Sequence, residues 1–109
     1  MIEVQIVRCH STNRITSFTL SGHADAGPYG YDLVCAAVSA LSIGAINAVM
    51  TLCSIELPTE AGSEGGFLRC DVPGSLPKET DEKVQLLLEG MLVSLDLIAQ
   101  EYSEHITIR

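Results

Sequence analysis

Residues 32–53 read DLVCAAVSALSIGAINAVMTLC, and this stretch decides how the rest of the chain must fold. From Leu33 to Cys53 there are 21 consecutive residues without a charge. An apolar segment of that length is long enough to span a bilayer. Its composition points elsewhere, because Ser39, Ser42, Asn47 and Thr51 interrupt it and no Lys or Arg flanks its end to set an orientation. The expectation is a helix buried at the centre of a soluble domain. Asp32 is a favoured residue type for the N-cap, so Leu33, Val34 and Cys35 become the first three helical positions. On a 3.6-residue wheel Ala36, Ala40, Gly44 and Ala48 form a stripe of small side chains open to close approach by another backbone. Cys35, Ser39, Ser42, Ile46 and Val49 lie on the other side. The helix is therefore expected to pack on two sides.

Working towards the N-terminus, residues 22–30 contain Gly22, Gly27, Pro28 and Gly30, which predicts a flexible loop with unusual backbone. Before it, residues 15–21 (ITSFTLS) are rich in β-formers, and in residues 2–8 Ile2, Val4 and Ile6 alternate with Glu3 and Gln5. With Ser11-Thr12-Asn13 between them, the two runs predict a hairpin. Towards the C-terminus, residues 55–59 and 67–72 predict short strands flanking an acidic glycine-rich loop, residues 60–66. Val84, Leu87, Leu88, Met91, Leu95, Ile98 and Tyr102 recur at helical spacing, and residues 106–109 predict a closing strand. The order β-β-α-β-β-α-β predicts an α+β fold, a mostly antiparallel sheet packed with two helices, in a single domain over residues 1–109.

Composition narrows the function. The chain has 6 Lys and Arg against 14 Asp and Glu, a net charge of −8, and no Trp. It repels phosphate backbones and lacks a base-stacking platform, which speaks against nucleic acid. It attracts basic partners instead. The first residues, MIEVQIVRCHS, hold an acid and no apolar h-region, so no secretory signal is expected and a cytoplasmic location is. The four cysteines, Cys9, Cys35, Cys53 and Cys70, are then expected to stay reduced. They form no CxxC pair, so neither a structural zinc site nor any other metal or cofactor is expected.

A nucleophilic thiol needs a lowered pKa and a base near it. Cys35 meets the first requirement by position, because a thiolate in the first turn faces the positive end of the helix dipole. The amides of that turn can also receive an oxyanion. His23 opens the glycine loop that Cys35 closes, and twelve residues of loop can fold back on themselves. His23 and Cys35 are thus the candidate base and nucleophile. Asp32 has two readings: a cap on the helix, or a group that orients His23. Ser39, four residues after Cys35, faces the same way and is a candidate supporting hydroxyl, unless it bonds its own helix backbone. Cys9, Cys53 and Cys70 are read as packing residues.

The motif Gly22-His23-Ala24, then Gly30, then Asp32-Leu33-Val34-Cys35-Ala36-Ala37-Val38-Ser39 resembles the ribosomal-processing cysteine protease family, Prp, whose pattern reads G-H-A, a glycine-rich loop, then D-I-V-C-A-A-V-S. Leu33 stands where isoleucine is common in that family. The likeness in element order and length covers the whole chain. It implies His23 as base, Cys35 as nucleophile, supporting roles for Asp32 and Ser39, and a homodimer. It also implies a substrate, large-subunit ribosomal protein twenty-seven, whose N-terminal leader is removed before ribosome assembly is complete. The loop from 24 to 31, with Gly22, Gly27 and Gly30, is expected to gate access. Two other classes compete: a non-catalytic acidic module that docks a basic ribosomal protein, and a small metalloprotein using His10, His23 and the cysteines. A serine hydrolase has no GxSxG to stand on.

Overall fold

The computed structural model describes residues 1–24, 27, 32–63 and 65–109. Strand β1 (Ile2–Arg8) alternates buried Ile2 and Val4 with more exposed neighbours, and β2 (Ile15–Ser21) buries Ile15, Ser17, Phe18 and Leu20. They pair antiparallel from Glu3↔Ser21 to Arg8↔Ile15, with a register shift at Val7/Arg8 next to the turn. Helix α1 (Leu33–Cys53) follows, then β3 (Thr59–Ala61), β4 (Phe67–Asp71), α2 (Lys78–Glu101) and β5 (Ile106–Ile108). The sheet order is β3-β4-β2-β1-β5. Three pairings are antiparallel, and β5 closes the sheet parallel to β1, with Ile2 opposite Ile106. The β-β-α-β-β-α-β order is the one the hydrophobic periodicity predicts.

Strand β3 differs from expectation. Residues 55–59 were expected to pair, but the ladder starts only at Thr59 and includes Glu60 and Ala61 of the predicted loop. Pro58 has no N–H to give a ladder, and Leu57 is instead buried as a core plug in the connection from α1. The tight turn of Gly65 and Gly66, with φ of +77° and +76°, then returns the chain into β4.

Helix α1 also departs from the two-sided expectation. Its buried positions are Val34, Val38, Ser42 and Val49, spaced along one face that meets α2. Ala36, Ala40 and Gly44 of the small-residue stripe are exposed, as are Ile43 and Met50 beside them. Within this chain the helix is packed on one side. Helix α2 buries Val84, Leu88, Met91 and Leu95 at three- and four-residue spacing and has Glu79 and Asp81 in its first turn, where acids complement the helix dipole. Tyr102, the last position of its predicted stripe, is exposed.

One polar clamp ties the hairpin to α2. The Arg14 guanidinium makes a bidentate pair with Asp81, at 2.9 and 2.7 Å, and donates to the Pro73 carbonyl. Gln85 closes the same corner by bonding both the N–H and the C=O of Ile15, at 2.7 and 2.8 Å. Asp81 raises the Arg14 pKa further above its ordinary value, through its hydrogen bonds first and its charge second. The pair is largely shielded from solvent, so removing one partner strands the other. Arg14→Ala is expected to cost about 1–3 kcal/mol in urea unfolding at unchanged m-value. A loss below about 0.5 kcal/mol would mean the clamp is an ordinary surface pair.

Candidate active site

The hairpin, the start of α1 and the β3–β4 turn converge at one end of the sheet. Between them lies a cleft of about 410 Å³, with His23, Cys35 and Ser39 on its polar side and Ile43, Phe67 and Leu68 on its apolar side. Glycine brings His23 there. Gly22 has φ of +89°, and a Cβ on it would collide with the Met1 carbonyl, so only glycine lets the chain leave β2 at this angle. Its N–H donates to the Gly66 carbonyl at 2.8 Å, joining the end of β2 to the β3–β4 turn. Gly66 lies directly against the imidazole: a Cβ at that position would sit 2.7 Å from His23 Nε2 and 3.2 Å from Cε1.

Cys35 reaches the cleft because Val34 and Val38, on the same side of α1, are buried in the core and fix the rotation of the first turn. Asp32 caps that turn, its Oδ1 accepting from the Cys35 N–H at 3.0 Å. The second carboxylate oxygen lies 3.3 Å from Cys35 Sγ and accepts from the thiol. On the sulfur's other side the Ala24 N–H donates to it at 3.2 Å. The two contacts oppose each other. The carboxylate disfavours a thiolate, by about 1–4 kcal/mol for charges some 4 Å apart between the water and near-surface limits. The Ala24 N–H and the helix N-terminus favour it. Asp32 thus favours the thiol and the Ala24 N–H the thiolate.

Of the sequence-derived site residues, His23, Cys35 and Ser39 share the cleft, and Asp32 borders it with both oxygens on Cys35. The cap is thus present. Ser39 is exposed one turn beyond Cys35, while it is Ser42, buried, that bonds back to the helix through the Val38 carbonyl at 2.8 Å. In the glycine loop Gly22 is tied to the sheet and Gly27 is exposed; Gly30 and positions 25, 26, 28, 29 and 31 lie outside the described residues. Cys70 is buried, and burial pushes its thiol up to about 11. Cys9 departs from its packing role: at the surface, hydrogen bonds from Ser11 and then Thr12 lower its pKa to about 6, with Ser11 Oγ 3.3 Å from the sulfur. His10 sits beside it at the far end of the hairpin from His23. Among the described residues no three His, Cys, Asp or Glu side chains gather as metal ligands.

Two contributors escape the sequence reading. Gly66 was placed only in an acidic loop, and His105 only ahead of the last strand. His105 Nδ1 lies 2.7 Å from the carbonyl of Ala24, the residue whose N–H meets the sulfur. No spacing rule links positions 81 residues apart. The pair Gly65-Gly66, following a polar run, was the one local sign of a positive-φ turn.

A thiol at the first turn of a helix, sharing an open cleft with a histidine on an α+β fold, defines a class, the thiol-dependent hydrolases. Residues 1–107 match the family model of the cysteine protease Prp. The chain is 42% identical over 108 residues, 99% of its length and 96% of the relative's, to the ribosomal processing cysteine protease Prp of Bacillus subtilis strain 168. It is also similar to the ribosomal processing protease Prp of S. aureus, solved in complex with a covalently linked product peptide, at 36% identity and a TM-score of 0.89 over 100% of this chain and 98% of that one. A structure of the S. aureus protease with a substrate peptide superposes with a TM-score of 0.83 at 34% identity, with the same coverage. The chain belongs to the Prp family of cysteine proteases.

The contact between Gly66 and the imidazole has a matched control in its neighbour. Gly65 has nearly the same φ, +77°, yet a Cβ there would meet nothing within 4 Å. Gly65→Ala and Gly66→Ala are expected to lose similar stability to backbone strain, about 1–3 kcal/mol each. Only Gly66→Ala should move the His23 ring resonances in a carbon–proton NMR spectrum. Ring signals that stay in place in both variants would contradict the contact.

Proposed function

We propose that this protein is an endopeptidase that removes the N-terminal leader of bacterial large-subunit ribosomal protein twenty-seven, with Cys35 as nucleophile and His23 as general base. The observation that carries this reading is that both side chains line one cleft, with the sulfur at a capped helix start. His23 takes the proton from Cys35, and the thiolate attacks the scissile carbonyl. The Cys35 amide is occupied by Asp32, which leaves the Leu33 and Val34 amides of the first turn as oxyanion donors. His23 then gives its proton to the leaving amine, and water, deprotonated by His23, hydrolyses the thioester. Asp32 holds the resting thiol and the helix start. Ser39 is within the cleft to bond substrate or sulfur.

Several observations support the substrate. The S. aureus and B. subtilis relatives carry the name ribosomal processing protease. The apolar wall of Ile43, Phe67 and Leu68 suits a peptide with apolar side chains. The cleft continues past Ile43 and Leu68 into a second hollow of about 600 Å³ bounded by Ile46, Met50 and Leu57, giving room for an extended peptide. A net charge of −8 suits the basic body behind the leader. The protein acts in the cytoplasm, as one domain over residues 1–109, without cofactor, nucleic acid or membrane. It works as a homodimer, a state the exposed small-residue face of α1 (Ala36, Ala40, Gly44) accommodates.

Cys35→Ala and His23→Ala, assayed by mass spectrometry on a peptide carrying the leader, are each expected to lose on the order of 10³-fold or more in kcat. Near-normal turnover in either variant removes the role assignment, and an intact ribosomal protein left uncut by active enzyme removes the substrate. Light scattering on the same preparation is expected to read twice the 11.7 kDa chain mass; a single-chain mass removes the dimer.

A further inference from the structure

The sulfur of Cys35 has a carboxylate on one side and the Ala24 N–H on the other. Whatever fixes Ala24 therefore decides how well the ionised sulfur is held. Ala24 is 1% exposed, and its carbonyl, which can only accept, lies 2.7 Å from His105 Nδ1. That nitrogen must carry the proton and donate. His105 is itself anchored through its backbone: its carbonyl accepts from the Ile2 N–H at 2.8 Å and its N–H donates to Tyr102 at 2.8 Å. Ile106 immediately after it pairs with Ile2 in the sheet. A continuous path thus runs from the β1–β5 ladder through one imidazole and the backbone of one residue, Ala24, to the sulfur.

We propose that His105 is a positioning residue for the Cys35 nucleophile, acting through Ala24 to aim that residue's N–H at the sulfur. The inference rests on the reading of Cys35 as nucleophile and deepens it. The chemistry proposed for the site uses one histidine, His23, and His105 is not among the residues that line the cleft. Its task is to hold a buried carbonyl that would otherwise be unpaired, and so to keep a backbone donor on Sγ in place. With that donor displaced, the Asp32 carboxylate prevails and the thiol ionises less readily. Asp32 bonds the sulfur and His23 lines the same cleft, and both stay intact when His105 is changed.

The side-chain amide of asparagine carries an N–H near the place of imidazole Nδ1, while that of glutamine reaches nearer Nε2. The full chain is therefore made as His105→Asn, His105→Gln and His105→Ala, with His23→Ala and Cys35→Ala alongside. Iodoacetamide labelling is followed at the Cys35 peptide by mass spectrometry across pH, which separates it from labelling at Cys9. Turnover of a leader peptide is measured in parallel. The Ala and Gln variants are expected to move the Cys35 labelling midpoint to higher pH and to lose roughly tenfold in kcat with little change in KM, one hydrogen bond's worth. The Asn variant restores both. Asn and Gln behaving alike, or Ala labelling with the wild-type profile, overturns the proposal. A His23→Ala midpoint equal to wild type instead sinks the Cys–His pairing, and turnover by Cys35→Ala sinks the nucleophile, so the failures are separable. Should His105→Ala not fold, the Asn–Gln contrast decides alone.

Discussion

A sulfur atom placed at the first turn of a helix cannot be moved without moving the helix. Here that helix begins at Asp32, whose two carboxylate oxygens hold the amide and the thiol of Cys35 together. Val34 and Val38 then lock the rotation of the turn into the core. The rest of the cleft is arranged around this fixed point. The end of β2 delivers His23 and Ala24, and the β3–β4 turn closes the far side. A carboxylate this near a thiol is a cost to its ionisation. The Ala24 N–H, which donates to the same sulfur, acts in the opposite sense.

The sheet supplies the rigidity this arrangement needs. His23 and Ala24 follow directly on β2, the central strand, bonded on both edges to β1 and β4. The parallel strand β5 brings His105 to the same end of the sheet. Positive-φ glycines sit where backbones crowd the imidazole or one another, at Gly22 and Gly66. A site whose parts come from β2, α1, the β3–β4 turn and the entry to β5 depends on correct packing of the whole domain. This gives the Arg14–Asp81 clamp, at the opposite end of the hairpin, an indirect bearing on activity.

Much of this was legible in the sequence, for physical reasons. Alternation in residues 2–8 and 15–21 marks the hairpin because one face of each strand is buried. The Asp32 cap and uncharged run mark α1 to the residue. The motif around Gly22-His23 and Asp32–Cys35 pointed to the family that the comparisons establish. Strand β3 was misplaced because residues 55–57 have strand-like composition, yet Leu57 is recruited to the core and Pro58 has no N–H to donate to the ladder. The exposed apolar face of α1 was misjudged because an apolar residue's pattern does not say whether its cover comes from the same chain. His105 and Gly66 stayed hidden because their contacts with Ala24 and His23 are set by sheet topology, which no local pattern encodes. Cys9 shows the converse: a thiol with an unremarkable sequence context acquires a lowered pKa from the hydroxyls of its own turn.

The most direct test is a crystal structure of the protein after reaction with a peptide chloromethyl ketone that carries the last residues of the leader. The account predicts a carbon–sulfur bond to Cys35 and the imidazole of His23 within about 3 Å of the sulfur or of the leaving-group position. A label on Cys9 or any other cysteine, or a Cys35 adduct with the His23 ring turned out of reach, would contradict it.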